Sequence, residues 1–128
     1  MAIESSVIYV GVLTLLMLAL GARVSLLRQK YRVSMGSGDQ PELNRALRLF
    51  GNFTEWVPMI LVGLVLCELV GAPGLLIHLV GIALIVGRIS HVAGLYPDRT
   101  TTARMIGVLL TWASALTTGG YLVYASLI

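Results

Sequence analysis

Arg48, Asn52 and Glu55 stand at i, i+4 and i+7 in the run RLFGNFTEWVP, with Arg45 three residues before Arg48. At about 100° per residue these four side chains fall within about an 80° arc, so on a helix they form one polar stripe. Arg88 and His91 are spaced i, i+3, Arg104 opens a later apolar run, and Arg23 lies near the end of the first one. Guanidinium groups bind carboxylates through paired N–H donors. A set of arginines with a single acid at their level, Glu55, therefore suits a small ligand carrying several carboxylates. The plainer reading is that the arginines snorkel to lipid phosphates while Glu55 pairs with Arg48 or Arg88 as structural glue. That reading accounts for one such residue more easily than for the whole set.

The elements that position these residues must cross a membrane. Hydrophobic residues make up 57% of the 128 positions and charged residues 12%, against about 25% charged in soluble domains. The length is that of one domain, residues 1–128, with helices expected at about 5–32, 42–70, 75–95 and 102–127. Each apolar run is long enough for a hydrocarbon core about 30 Å thick. Polar turn residues at 34–41 (SMGSGDQP) separate the first two helices, and Pro41 suits the first turn of the second. Gly71-Ala72-Pro73-Gly74 makes a tight hairpin of helices two and three, and Tyr96-Pro97-Asp98 ends the third. Barrel strands would alternate polar and apolar residues, which these runs do not. The fold class expected is therefore an all-α membrane protein, a four-helix transmembrane bundle. No basic residue precedes the first run, so it reads as a retained span and not as a secretory signal.

The nine basic residues are Arg23, Arg28, Lys30, Arg32, Arg45, Arg48, Arg88, Arg99 and Arg104. All lie at or between the ends of helices one and two, or of helices three and four. The positive-inside rule puts both connections in the cytosol and both termini outside. Arg28, Lys30, Arg32 and Arg99 are explained as loop charge, and Arg45 fits either loop or site. His78 reads as a packed or interfacial histidine, Glu68 as interfacial, and Cys67 as a small core residue. Tyr121 and Tyr124 suit one aromatic belt and Tyr31 the other. Gly107, Thr111, Ala115 and Gly119 make a small-residue ridge suited to close helix packing. The sequence holds no metal-ligand cluster, phosphate loop, Ser-His-Asp set or nucleic-acid motif, so neither a metal site nor a nucleic-acid partner is expected. Membrane lipids are the expected surroundings.

These residues resemble the MAPEG family, the membrane-associated proteins of eicosanoid and glutathione metabolism. The resemblance rests on Arg48, Asn52, Glu55 and Pro58, on the Arg88 and His91 pair near the end of helix three, and on Arg104 opening helix four. It covers nearly the whole chain. It implies a homotrimer that binds glutathione, as co-substrate, between subunits near the cytosolic face. In relatives that bind glutathione, the residues matching Arg48, Asn52, Glu55, Arg88 and His91 hold its backbone, carboxylates and amino group. Arg23 matches a helix-one arginine reaching across the interface, and the residue matching Arg104 is the catalytic one, proposed to stabilise the thiolate. The activity implied is conjugation of glutathione to a hydrophobic electrophile, or reduction of a lipid hydroperoxide. One branch of the family is instead a non-enzymatic lipid-binding scaffold. The chain departs from some relatives at Trp56 and Leu95, where those have tyrosines. It also has Gly51 in place of a second arginine and Met105 in place of a serine of the prostaglandin synthases. Met105 argues against prostaglandin isomerisation.

Overall fold

The computed structural model describes residues 3–96 and 99–128. Four long helices account for most of them: α1 (Val7–Tyr31), α2 (Pro41–Leu69), α3 (Gly74–Gly94) and α4 (Thr102–Leu127). The shortest, α3, has 21 residues, about 32 Å at 1.5 Å per residue. All four are long and apolar enough to cross a bilayer, and the chain is an integral membrane protein. Local chemistry sets the helix ends. Arg32 stops α1 in the left-handed conformation at φ 53°, its N–H returning to the Arg28 carbonyl. Pro41 occupies the first turn of α2, where its missing N–H costs nothing. Thr101 caps α4 by accepting the Arg104 N–H at 3.1 Å.

The core lies where α1, α2 and α3 meet. Leu13 and Leu20 pack there against Leu49, Phe53, Val57, Ile60 and Leu84. The approach of α4 to α3 is closer, because it is made through glycines. A methyl at Gly107 would sit 2.6 Å from the Gly87 carbonyl oxygen, so backbone meets backbone. Gly107 and Thr111 of the small-residue ridge are buried, whereas a side chain at Gly119 would meet open space. Part of the ridge thus serves packing within the chain. The hydroxyls of Thr111, Ser114, Thr117 and Thr118 all donate to carbonyls four residues back, which hides their polarity inside α4.

Two short strands lie between α3 and α4, where no strand is expected from the sequence. Leu95–Tyr96 (β1) and Arg99–Thr100 (β2) pair antiparallel, Leu95 opposite Thr100 and Tyr96 opposite Arg99. Pro97 and Asp98, expected as part of the stop for helix three, lie outside the described residues. The Tyr96 ring has the Arg99 guanidinium at 4.3 Å and that of Arg45 at 5.5 Å.

At the opposite end of the bundle, Glu68 ties α2 to the start of α1. Its Oε1 accepts the backbone N–H groups of Glu4 (3.1 Å) and Ser5 (2.6 Å). Its Oε2 accepts the Ser6 N–H at 2.9 Å and the Ser6 hydroxyl. The carboxylate satisfies the N–H of the N-cap Ser6 and of the two residues ahead of it, and its charge suits a helix N-terminus. Nearby, Tyr9 Oη and His78 Nδ1 share a hydrogen bond of 2.6 Å. The Tyr9 ring covers Gly81, where any side chain would collide with it.

Candidate functional site

At the basic end the helices part around a cavity of about 640 Å³. The α1–α2 loop contributes Ser37, Asp39 and Gln40 to its wall, and α2 contributes Pro41, Asn44, Arg45, Arg48 and Asn52. His91 comes from α3, Leu95 and Tyr96 from β1, and Arg104 from the first turn of α4. The polar stripe on α2 thus lines the cavity as far as Asn52. Glu55, one turn further, is exposed and does not line it. Arg48 and Glu55 approach each other over Gly51. A methyl there would sit 3.8 Å from Arg48 Nη1 and 3.9 Å from Glu55 Oε1. Yet they form no ion pair: among the described residues the ion pairs are Arg23–Glu42 and Lys30–Glu42, each at 3.4 Å. Pairing of Glu55 with Arg48 or Arg88 as glue is therefore absent among those residues.

Arg88 is only 1% exposed and stands behind the cavity, not in its wall. Its Nη2 donates to Asn52 Oδ1 at 2.7 Å, its Nη1 lies 3.5 Å from Thr111 Oγ1, and its guanidinium stacks 5.6 Å from the Phe53 ring centroid. It fixes Asn52, which does face the cavity. Two buried nitrogens, Arg88 Nε and His91 Nδ1, have no partner among the described residues. Buried polar atoms are nearly always paired, so these mark where an acceptor or water belongs. The guanidiniums of Arg48 and Arg104 also donate no hydrogen bond among the described residues.

Arg45 differs. Its Nε donates to the Leu95 carbonyl at 2.7 Å and its Nη2 to that of Val92 at 2.8 Å. These are carbonyls that the end of α3 leaves free, so Arg45 caps α3. Arg23 points elsewhere, toward Glu42, which also accepts from Tyr31 Oη at 2.6 Å. Arg23 does not line the cavity. Trp56 stands on the exterior, tilted against Trp112 with ring centroids 6.3 Å apart. Met105 is exposed beside Arg104, and Leu95 lines the cavity.

Sequence spacing alone misses the loop side chains Ser37, Asp39 and Gln40, and Asn44 on α2. The available signal is weak: a turn-rich loop joining two helices that both carry candidate residues. What the assembled wall offers is a cluster of cationic and amide donors, several without acceptors, opening at one end of a transmembrane bundle. Donors of this kind are chemically suited to an anion with more than one acceptor group.

A family profile described as "MAPEG family" matches residues 6–124. Inner membrane protein YecN of Escherichia coli strain K12 is 34% identical over 111 residues, covering 87% of this chain and 84% of that protein. Inner membrane protein YecN of Escherichia coli O6:H1 matches with the same identity and coverage. No solved structure matches the chain.

Proposed function

The chain belongs to the MAPEG family, and from that premise we propose that it is a glutathione-dependent membrane enzyme. It conjugates glutathione to hydrophobic electrophiles or reduces lipid hydroperoxides. The observation that carries this reading is the set of polar groups left without partners around one cavity: the guanidiniums of Arg48 and Arg104 and the buried His91 Nδ1. These groups fit a tripeptide with two carboxylates and several amide oxygens. Arg48 binds a carboxylate. Arg88 holds Asn52 through Oδ1 and leaves the Asn52 amide N–H groups to the peptide backbone. Arg104 faces the thiol. A free thiol has a pKa of about 8.5, and a neighbouring cation lowers it toward neutrality. Bound glutathione supplies the sulfur nucleophile, and the hydrophobic co-substrate enters sideways from the bilayer.

The proposal extends to assembly and orientation. Glu55 is exposed on a helix inside the apolar span, where an uncovered charge costs at least about 2.5 kcal/mol. A homotrimer that buries this face removes the cost and brings Arg23 to the ligand across the seam. The basic end faces the cytosol and both termini lie outside it, in the inner membrane named for the YecN relatives.

Titration calorimetry with glutathione on detergent-solubilised protein tests the binding; no heat at millimolar concentration would sink the proposal. Arg104→Ala is expected to bind glutathione yet lose the ultraviolet absorbance of its thiolate. An unchanged thiolate signal would remove Arg104 from that role. A second reading, a non-enzymatic lipid- or glutathione-binding scaffold, draws on Trp56, Leu95 and Met105, which stand where relatives carry hydroxyls. Glutathione binding without turnover of chlorodinitrobenzene or a lipid hydroperoxide would favour the scaffold.

A further inference from the structure

The end of α3 and the start of α4 meet at the residues just ahead of Arg104. Thr101 Oγ1 donates to the Gly94 carbonyl at 2.6 Å and accepts the Arg104 N–H at 3.1 Å. One turn earlier on α3, Ser90 Oγ donates to the Ala103 carbonyl at 2.6 Å. A side chain at Gly94 would collide with the Arg104 nitrogen and with Thr101 Oγ1. The Gly94 carbonyl is one that the end of α3 leaves without a partner in its own helix. An N-cap threonine needs only to accept an N–H; this one also donates to the neighbouring helix.

We propose that Thr101 is a positioning residue for Arg104: its hydroxyl ties the first turn of α4 to the last of α3 and so sets how closely the Arg104 guanidinium approaches the ligand's sulfur. The inference rests on the glutathione reading and deepens the part Arg104 plays in it. Arg104 lines the cavity, and its guanidinium has no hydrogen-bonded anchor among the described residues. Its reach therefore starts from a backbone that Thr101 and Ser90 hold in place. On the other side of Arg104, Gly107 lies against Gly87 and His91: a methyl there would come within 2.8 Å of the His91 backbone nitrogen. The spacing of the two helices is thus fixed both before and after Arg104.

Attraction between a cation and a thiolate falls inversely with distance. A guanidinium that recedes by about 1 Å from a sulfur about 4 Å away loses about a fifth of it. At an effective dielectric constant of about 20, the thiol pKa then rises by about half a unit, a roughly threefold fall in thiolate. Loss of an N-cap that mattered only to the helix would lower thermal stability and leave that pKa alone. Arg45, Arg48, His91, Asp39 and Tyr96 share the wall and bear on the same thiol. The part that passes through Arg104 is therefore isolated by pairing substitutions.

The test uses full-length protein in detergent, saturated with glutathione, with the ultraviolet absorbance of the thiolate followed against pH. Thr101→Ala is expected to raise the apparent thiol pKa by about half a unit. Thr101→Ser, which keeps the hydroxyl, is expected to restore the wild-type value. Thr101→Val repeats the measurement should Thr101→Ala fail to fold, which thermal unfolding shows. Added to Arg104→Ala, the Thr101 substitution is expected to change nothing further. An unchanged pKa in folded Thr101→Ala overturns the assignment, and so does a Thr101→Ser that behaves like Thr101→Ala. A further shift on top of Arg104→Ala overturns it too, since Thr101 then acts without Arg104. If wild type binds no glutathione, the glutathione reading has failed and this inference with it. If glutathione binds and only the Thr101 results go against expectation, the positioning role alone has failed.

Discussion

The two ends of the bundle treat polar groups in opposite ways. At the end where α1 begins, the carboxylate of Glu68 meets three backbone N–H groups and a hydroxyl, and Tyr9 meets His78. At the basic end, the guanidiniums of Arg48 and Arg104 donate nothing among the described residues, and His91 Nδ1 is buried without a partner. Burial of an unpaired polar group costs about 1–3 kcal/mol. Only the buried nitrogens, Arg88 Nε and His91 Nδ1, carry that cost at the basic end, since Arg48 is exposed and Arg104 half-buried. Arg45 shows that the basic end can also satisfy an arginine, since it caps α3. The first end pairs its polar groups within the chain; at the second, Arg48, Arg104 and His91 Nδ1 have no partner among the described residues.

Substitutions at each end sharpen or break this division. The largest effect is expected at Glu68→Ala, which strands the N–H groups of Glu4, Ser5 and Ser6 just ahead of α1 and should lower stability by about 2–3 kcal/mol. Thermal unfolding in detergent measures it, with glutathione affinity at the far end unchanged. A stable Glu68→Ala that binds glutathione poorly would erase the distinction between the ends. Next comes Arg48→Ala, expected to weaken glutathione binding about tenfold, roughly 1.4 kcal/mol, with no loss of thermal stability. Lower stability with unaltered affinity would make Arg48 a structural residue like Arg45. The smallest effect is Tyr9→Phe, which removes one hydrogen bond to His78 at a cost of about 1 kcal/mol. A cost near zero would show that the Tyr9 ring over Gly81, and not its hydroxyl, is what matters there.

The helices were legible because long apolar runs are broken by turn residues at 34–41 and 71–74. The period along α2 also placed Arg48 and Asn52 together correctly, since one face of a helix follows from spacing alone. Where that face ends did not follow. Glu55 continues the stripe but is exposed one turn beyond the cavity wall. Arg88 was legible as a polar residue in an apolar helix, but not as one buried behind Asn52. That placement depends on how closely Gly87 lets α4 approach. Arg45 was ambiguous because its carbonyl partners, at Val92 and Leu95, are distant in sequence. Asp39 could not be read at all, because its position is set by a loop with several positive φ values. Glu68 showed only its place near a helix end, while its partners begin 62 residues earlier.

That last separation bears on how the protein is made. Translation proceeds at about 5–20 residues per second, so Glu68 is synthesised roughly 3–12 s after Ser6. Through that interval the amides at the start of α1 have no carboxylate to meet. A nascent chain halted before residue 68 lacks the carboxylate to which Glu4, Ser5 and Ser6 donate, and the second span is what brings it. The lock on the oldest part of the chain is thus carried by a younger part, and the first two spans become fixed to one another as a pair.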